Sequence, residues 1–318
     1  MRKEGAKKVL LNYSNILVLA VALIVLFVVM SSLSPYFLKS SFLWKQAGFV
    51  AETSFIGLGM TLVILTGGID LSVGSVMALS AIMTGMIVET GMSVGLAVII
   101  TLTFGAIAGA LNGFIICKAN VAPLIVTLGT MGLFRGIAMG ISGGDAVKYP
   151  ESLCLLGVGD IGGIPISFIL AVFLYFVAVY MLKNTKMGMN LHAIGYNEEG
   201  AKFSGISVDF EKVRVYMISG ILAALMGIVY ASRVSSAKAD YGNGYEMNAI
   251  TIAVFGGAVL SGGKASVLGS FVATIIIVLL KQGLTLANVQ AEIQSVIVGL
   301  ILIFAVAFNS FIDNKNKK

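Results

Sequence analysis

Charge is what this 318-residue sequence has little of: 11% of its residues are Asp, Glu, Lys or Arg, against 58% that are hydrophobic. A soluble domain carries about a quarter of its residues as charges to keep its surface in water. That shortage, with a mean hydropathy of +0.99, excludes the soluble class and points to a membrane protein. Histidine is nearly absent, with His192 alone, and cysteine is limited to Cys117 and Cys154. His192 has no second ligand at suitable spacing and reads as a solvated or capping residue, so no metal site is expected. One histidine, two separated cysteines and no recognisable carboxylate pair offer no catalytic set. A nucleotide-binding loop is lacking as well. The nearest approach, at Gly262-Gly263-Lys264, would need Gly at Ala258 and Ser or Thr at Ala265, so the chain is expected to bind no cofactor and hydrolyse nothing by itself.

Long apolar runs fill the space. A helix needs roughly 20 apolar residues to span a bilayer, and about ten such stretches fall near residues 15–33, 47–66, 71–88, 93–116, 122–142, 164–182, 213–232, 248–260, 266–281 and 293–311. With 38 glycines, four prolines and no period-two alternation, the class is an all-α polytopic membrane protein rather than a barrel. The first run, although four basic residues precede it, exceeds a usual signal core, and SSLSPYF offers no clear cleavage site, so it reads as an uncleaved anchor.

Lys and Arg placement sets the orientation. Counted from a cytoplasmic N-terminus, inside segments hold fourteen of the 21 basic residues and outside segments six, with Arg135 inside a span. Both termini are therefore expected in the cytoplasm, as tails at 1–14 and 312–318 of one transmembrane domain covering 1–318. Cys117 and Cys154 then lie on opposite sides, which excludes a disulfide between them. The net charge of +6 is accounted for by topology, and no clustered basic and aromatic pattern points to nucleic acid.

Residues 65–75 read LTGGIDLSVGS, and 195 positions later residues 260–270 read LSGGKASVLGS. Gly67 and Gly68 are expected to end one helix, with Asp70 capping the next from Leu71. A turn this short leaves backbone polar groups unpaired, which a membrane tolerates only where they are buried in protein or line a cavity. The phrase is therefore either a purely structural hairpin or part of a site. Gly262 and Gly263 take the same offset, and five of the eleven positions are identical. The echo predicts an internal structural repeat, although small residues recur readily in a glycine-rich chain.

The most charged internal stretch is 183–212, a cytoplasmic loop longer than a connection needs. Within it Glu198, Glu199, Ala201, Lys202 and Phe203 can form a short amphipathic helix closed by Gly205, offered to a soluble partner; the alternative is an ordinary solvated loop. Polar residues inside spans are costly and so mark a translocation pathway: Glu52, Asn112, Arg135, Asn248 and Thr251. Arg135 could instead pair with Glu52 or Glu89.

Three phrases, GGIDLSVGS, GYNEEGAKFSGI and YGNGYEMNAI followed by GGAVLSGGKAS, resemble the membrane permease subunit of bacterial ATP-driven sugar importers of the ribose, xylose and autoinducer type, over roughly residues 45–305. That resemblance implies a dimer of permeases in the bacterial inner membrane. It also implies two cytoplasmic ATPase subunits that use ATP and Mg, and an external sugar-binding protein. It further implies a coupling element at Gly195, Asn197, Glu199, Ala201, Ser204 and Gly205. Gly200 departs from the family's usual Ala, Ala265 from a frequent Gly and Asn248 from a frequent Asp. Nucleosides or branched-chain amino acids are the alternative cargoes. A zwitterion would want paired opposite charges in the pathway, and an ion-coupled secondary transporter would want membrane carboxylates.

Overall fold

The computed structural model describes the backbone of residues 2–316 and the side chains of residues 18–307, so the side chains of the expected tails at 1–14 and 312–318 lie outside the described residues. Helices α1 (Arg2–Leu33), α2 (Ser40–Leu65), α3 (Val73–Glu89), α4 (Val94–Ala119) and α5 (Pro123–Ser142) follow one another through short connections. At one end of the bundle come β1 (Val147–Lys148), α6 (Glu151–Val158) and the small hairpin of β2 (Asp160–Ile161) and β3 (Ile164–Pro165). Helix α7 (Ile166–Asn184) leads to α8 (Lys186–Tyr196) and α9 (Glu198–Phe203), and α10 (Val208–Val234) leads to β4 (Ser236–Ala237). The chain finishes with α11 (Tyr245–Phe255), α12 (Val267–Leu286) and α13 (Ala291–Asn316).

Among the described residues six helices, α2, α4, α5, α7, α10 and α12, are long and apolar enough to cross a membrane, and Val18–Leu33, Val73–Glu89 and Ala291–Ala307 are shorter apolar stretches. The protein is thus a multi-pass helical membrane protein. Helix α2 is buried over 89% of its most apolar window and α10 over 72%, whereas α4, α5 and α7 are buried over 28% or less. So α2 and α10 form the centre and the others present side chains outward. Between helices in lipid, close packing substitutes for the hydrophobic effect, and small residues permit it. Helix α4 meets α10 in this way: a Cβ at Gly109 would run into the Tyr216 carbonyl, and one at Gly220 into the Gly105 carbonyl.

Two expectations are corrected here. Residues 183–212 are not mainly loop, because α7 runs to Asn184, α8 precedes the short helix expected at 198–203, which is α9, and α10 begins at Val208. The eighth apolar stretch is helical only to Phe255, since Gly256 and Gly257 end it and Gly257 takes φ +103°. The small strands lay outside the sequence reading: β1 pairs with β4, and the Tyr149 hydroxyl donates to the Ala81 carbonyl at 2.7 Å, fixing this end of the bundle to α3.

Candidate functional site

At the end of α2 the chain turns through Thr66 and Gly67, whose φ of +78° only glycine adopts without strain. Asp70 is almost fully buried, but it does not cap a helix at Leu71. Helix α3 begins at Val73, and Asp70 Oδ1 accepts from the Ser72 amide at 3.0 Å and the Ser72 hydroxyl at 2.6 Å, while Oδ2 accepts from Ser219 of α10 at 2.9 Å. The Asn112 amide donates to Ser72 Oγ at 2.9 Å and Thr127 to the Ile69 carbonyl at 3.2 Å. Three helices, α4, α5 and α10, are therefore gathered on this one turn through polar groups that lipid could not satisfy.

The second Gly-Gly turn folds against the first. The Gly263 amide donates to the Leu65 carbonyl at 2.9 Å, and Gly262 and Gly263 both take positive φ, +87° and +80°. Each phrase opens a helix, α3 at Val73 and α12 at Val267, within one residue of the same offset. At the matched Gly74 and Gly269 a Cβ would strike a glycine carbonyl, that of Gly242 or Gly256. The entries differ, because Gly67 directly follows α2 whereas Gly262 lies well past the end of α11.

The third participant is the segment of α8 and α9. A Cβ on Gly195 would strike both the Leu65 carbonyl and the Gly263 amide, and His192 Nδ1 lies 3.0 Å from the Gly263 carbonyl. Apolar residues Met187 and Leu191 fix α8 on Leu65 and Tyr216. Asn197 ends α8 and caps α9, its Oδ1 accepting from the Gly200 amide at 3.0 Å. Helix α9 carries Ala201 inward beside Ile194 and Val208, with Glu199 exposed and Phe203 91% exposed. Ser204 donates to the Gly200 carbonyl, and Gly205 stops the helix at φ +81°. Glu198 holds the segment to α10 through Lys212 at 2.6 Å and also meets Lys202 at 3.3 Å. Burial alone would raise its carboxyl, but the hydrogen bonds and charges of Lys212 and Lys202 outweigh it and hold Glu198 below the usual carboxylate range.

The polar residues expected in the pathway separate. Glu52 and Asn248 line one cavity of about 70 Å³ with Thr53, Tyr245 and Lys281. Glu52 pairs with Arg233 at 2.5 and 3.1 Å, and Lys281 donates to Asn248 at 3.0 Å. The pairing of Arg135 with Glu52 or Glu89 is thus overturned. Arg135 lies on α5 and donates to the carbonyls of Ala239 and Tyr241, whereas Glu52 faces the far end of α10. Asn112 belongs to the Asp70 network, and Thr251 donates to the Met247 carbonyl one turn back in α11.

Residues 47–306 match the family described as "Branched-chain amino acid transport system / permease component". The chain belongs to this family. Among its relatives the ribose import permease protein RbsC of Escherichia coli K12 is 37% identical over 302 residues, covering 93% of each chain. The RbsC of Bacillus subtilis 168 is 39% identical over 288 residues, 89% of each. The autoinducer 2 import system permease protein LsrD of Escherichia coli O9:H4 is 32% identical over 307 residues, 94% of this chain and 93% of that one. No solved structure matches.

In this permease the two Gly-Gly phrases and Gly195 come together, while Glu199 and Ala201 stand apart on the short α9, with Asn197, Ser204 and Gly205 at its ends. Sequence reasoning missed Arg233, Lys281, Ser72, Ser219 and His192. The signal for Arg233 was available: a carboxylate at membrane depth demands a cation, and the last turn of a long apolar helix offered one.

Proposed function

We propose that the chain is the permease subunit of an ATP-binding-cassette importer in a bacterial inner membrane, forming the pathway for a monosaccharide delivered by an external binding protein. The observation that carries this is α9, a capped six-residue helix with an exposed face, joined through α8 to the turns that open α3 and α12. It is the docking element for a soluble ATPase, which uses ATP and Mg while the permease hydrolyses none. In this reading ten spans, α1, α3, α11 and α13 included, form one domain with both termini cytoplasmic, and two copies assemble around the pathway.

Ribose, or a related sugar, is the favoured cargo because two of the named relatives are ribose import permeases. A zwitterionic amino acid would need free charges of both signs, whereas Arg135 is engaged by backbone carbonyls and Glu52 by Arg233. The test is uptake by proteoliposomes of labelled pentoses, hexoses and nucleosides, with permease alone and with ATPase and binding protein, including Glu199→Arg. Uptake of a pentose that needs both partners and ATP, and is lost in a folded Glu199→Arg variant, supports the reading. Uptake by the permease alone along an ion gradient overturns it, and nucleoside uptake moves the cargo to the alternative.

A further inference from the structure

Gly263 is held from two sides. Its amide donates to the Leu65 carbonyl at 2.9 Å, and its carbonyl lies 3.0 Å from His192 Nδ1. A carbonyl oxygen can only accept, so Nδ1 carries the proton. One residue of the second Gly-Gly turn thereby ties α8 to the last residue of α2. Gly195, three positions beyond His192 in the same helix, fits against the same two backbone groups with no room for a Cβ.

We propose that His192 is a positioning residue for energy coupling: it links movement of the α8–α9 segment to the second Gly-Gly turn, and through Gly263 and Leu65 to the first. The proposal rests on the reading of α9 as the ATPase docking element. Asn197 alone joins α8 to α9, so a push on α9 reaches α8 with little slack. From Gly263 the link to Leu65 runs by backbone groups, and backbone cannot swing aside as a flexible side chain would. The turn also has its own closure. Gly262 N–H donates to the Val259 carbonyl at 2.8 Å and Val259 N–H to the Lys264 carbonyl at 3.0 Å, independently of His192. Loss of the imidazole should therefore disconnect the turn rather than unfold it.

The experiment uses the full permease assembled with its ATPase partners and reads two quantities: the ATP hydrolysis rate, and amide exchange at 259–264 before and after trapping with ATP and vanadate. Wild type is expected to change its exchange rate there by at least about fivefold, the low end of a typical coupling between sites. His192→Leu should keep ATP hydrolysis but lose that response, and His192→Asn, whose amide donor takes the place of Nδ1, should restore it. Should His192→Leu fail to assemble, His192→Gln takes its place, since its donor lies one bond further out and misses Gly263. A full response in the Leu or Gln variant overturns the proposal and leaves the importer reading intact. A wild type that neither binds the ATPase nor responds to ATP overturns the importer reading, and the proposal falls with it.

Discussion

Gly195 and Gly200 lie five positions apart, and the sequence treats them alike, as glycines in short helices where Ala would be worth up to about 1 kcal/mol in propensity. Their surroundings reverse that equality. A Cβ on Gly195 meets the Leu65 carbonyl and the Gly263 amide, both backbone, whereas one on Gly200 meets the Asn197 side chain at 3.0 Å. Gly195→Ala is therefore expected to cost about 1–3 kcal/mol as overpacking exceeds the propensity gain. Gly200→Ala should stay within about 0.5 kcal/mol, the gain offset by a disturbed N-cap. Unfolding midpoints of the purified permease measure both, and equal shifts would show that the fit at Gly195 is slack. Resemblance picked out Gly195 from the sequence. The reason it must be glycine was not legible there, because the two groups that crowd it come from residues 130 positions before and 68 after.

Among elements, α2 and α10 are joined by Glu52 and Arg233, with Glu52 almost fully buried and the Arg233 side chain 23% exposed over the Phe49 ring. Removing one partner leaves the other charge in low dielectric, so Glu52→Ala or Arg233→Ala should each cost about 3–5 kcal/mol. Removing both, as Glu52→Leu with Arg233→Met, should recover most of that loss, since a buried pair replaced by apolar side chains is often neutral. A double-mutant cycle on unfolding midpoints reads the difference, and single variants each costing under about 1 kcal/mol would mark the pair as a solvated contact. The sequence announced the apolar helices well, because long runs have no other stable arrangement in lipid. It did not announce β1, β4 or α6, whose short sequences carry no periodic signal, nor that α8 fills the supposed loop ahead of the short helix it did place at 198–203. The mistaken partner for Arg135 has the same origin: pairing across helices depends on rotation about each axis, which composition does not specify.

For the whole molecule the open quantity is direction across the bilayer, and the protein carries its own probes. Cys117, near the end of α4, lies 3.8 Å from the Asp209 carbonyl at the start of α10. Cys154, in α6, lies 3.5 Å from Ser235, just past the end of α10. The 27 residues of α10 rise about 40 Å at 1.5 Å each, so the two thiols lie at opposite ends of a helix long enough to cross the hydrocarbon layer. With basic residues concentrated in the expected inside segments, Cys117 should face the cytoplasm together with α9, and Cys154 the exterior with β1 and β4. A membrane-impermeant maleimide applied to intact spheroplasts should then label the Cys117→Ser variant, through Cys154, and spare the Cys154→Ser variant until the membrane is permeabilised. Both thiols are partly buried, so labelling is compared over time against the permeabilised rate of the same variant. The reverse pattern would put α9 outside, where no ATP is available, and would remove the docking role of that segment. Labelling of both variants from one side would mean that α10 does not cross the membrane, and with it the central pair of helices on which the polytopic arrangement depends.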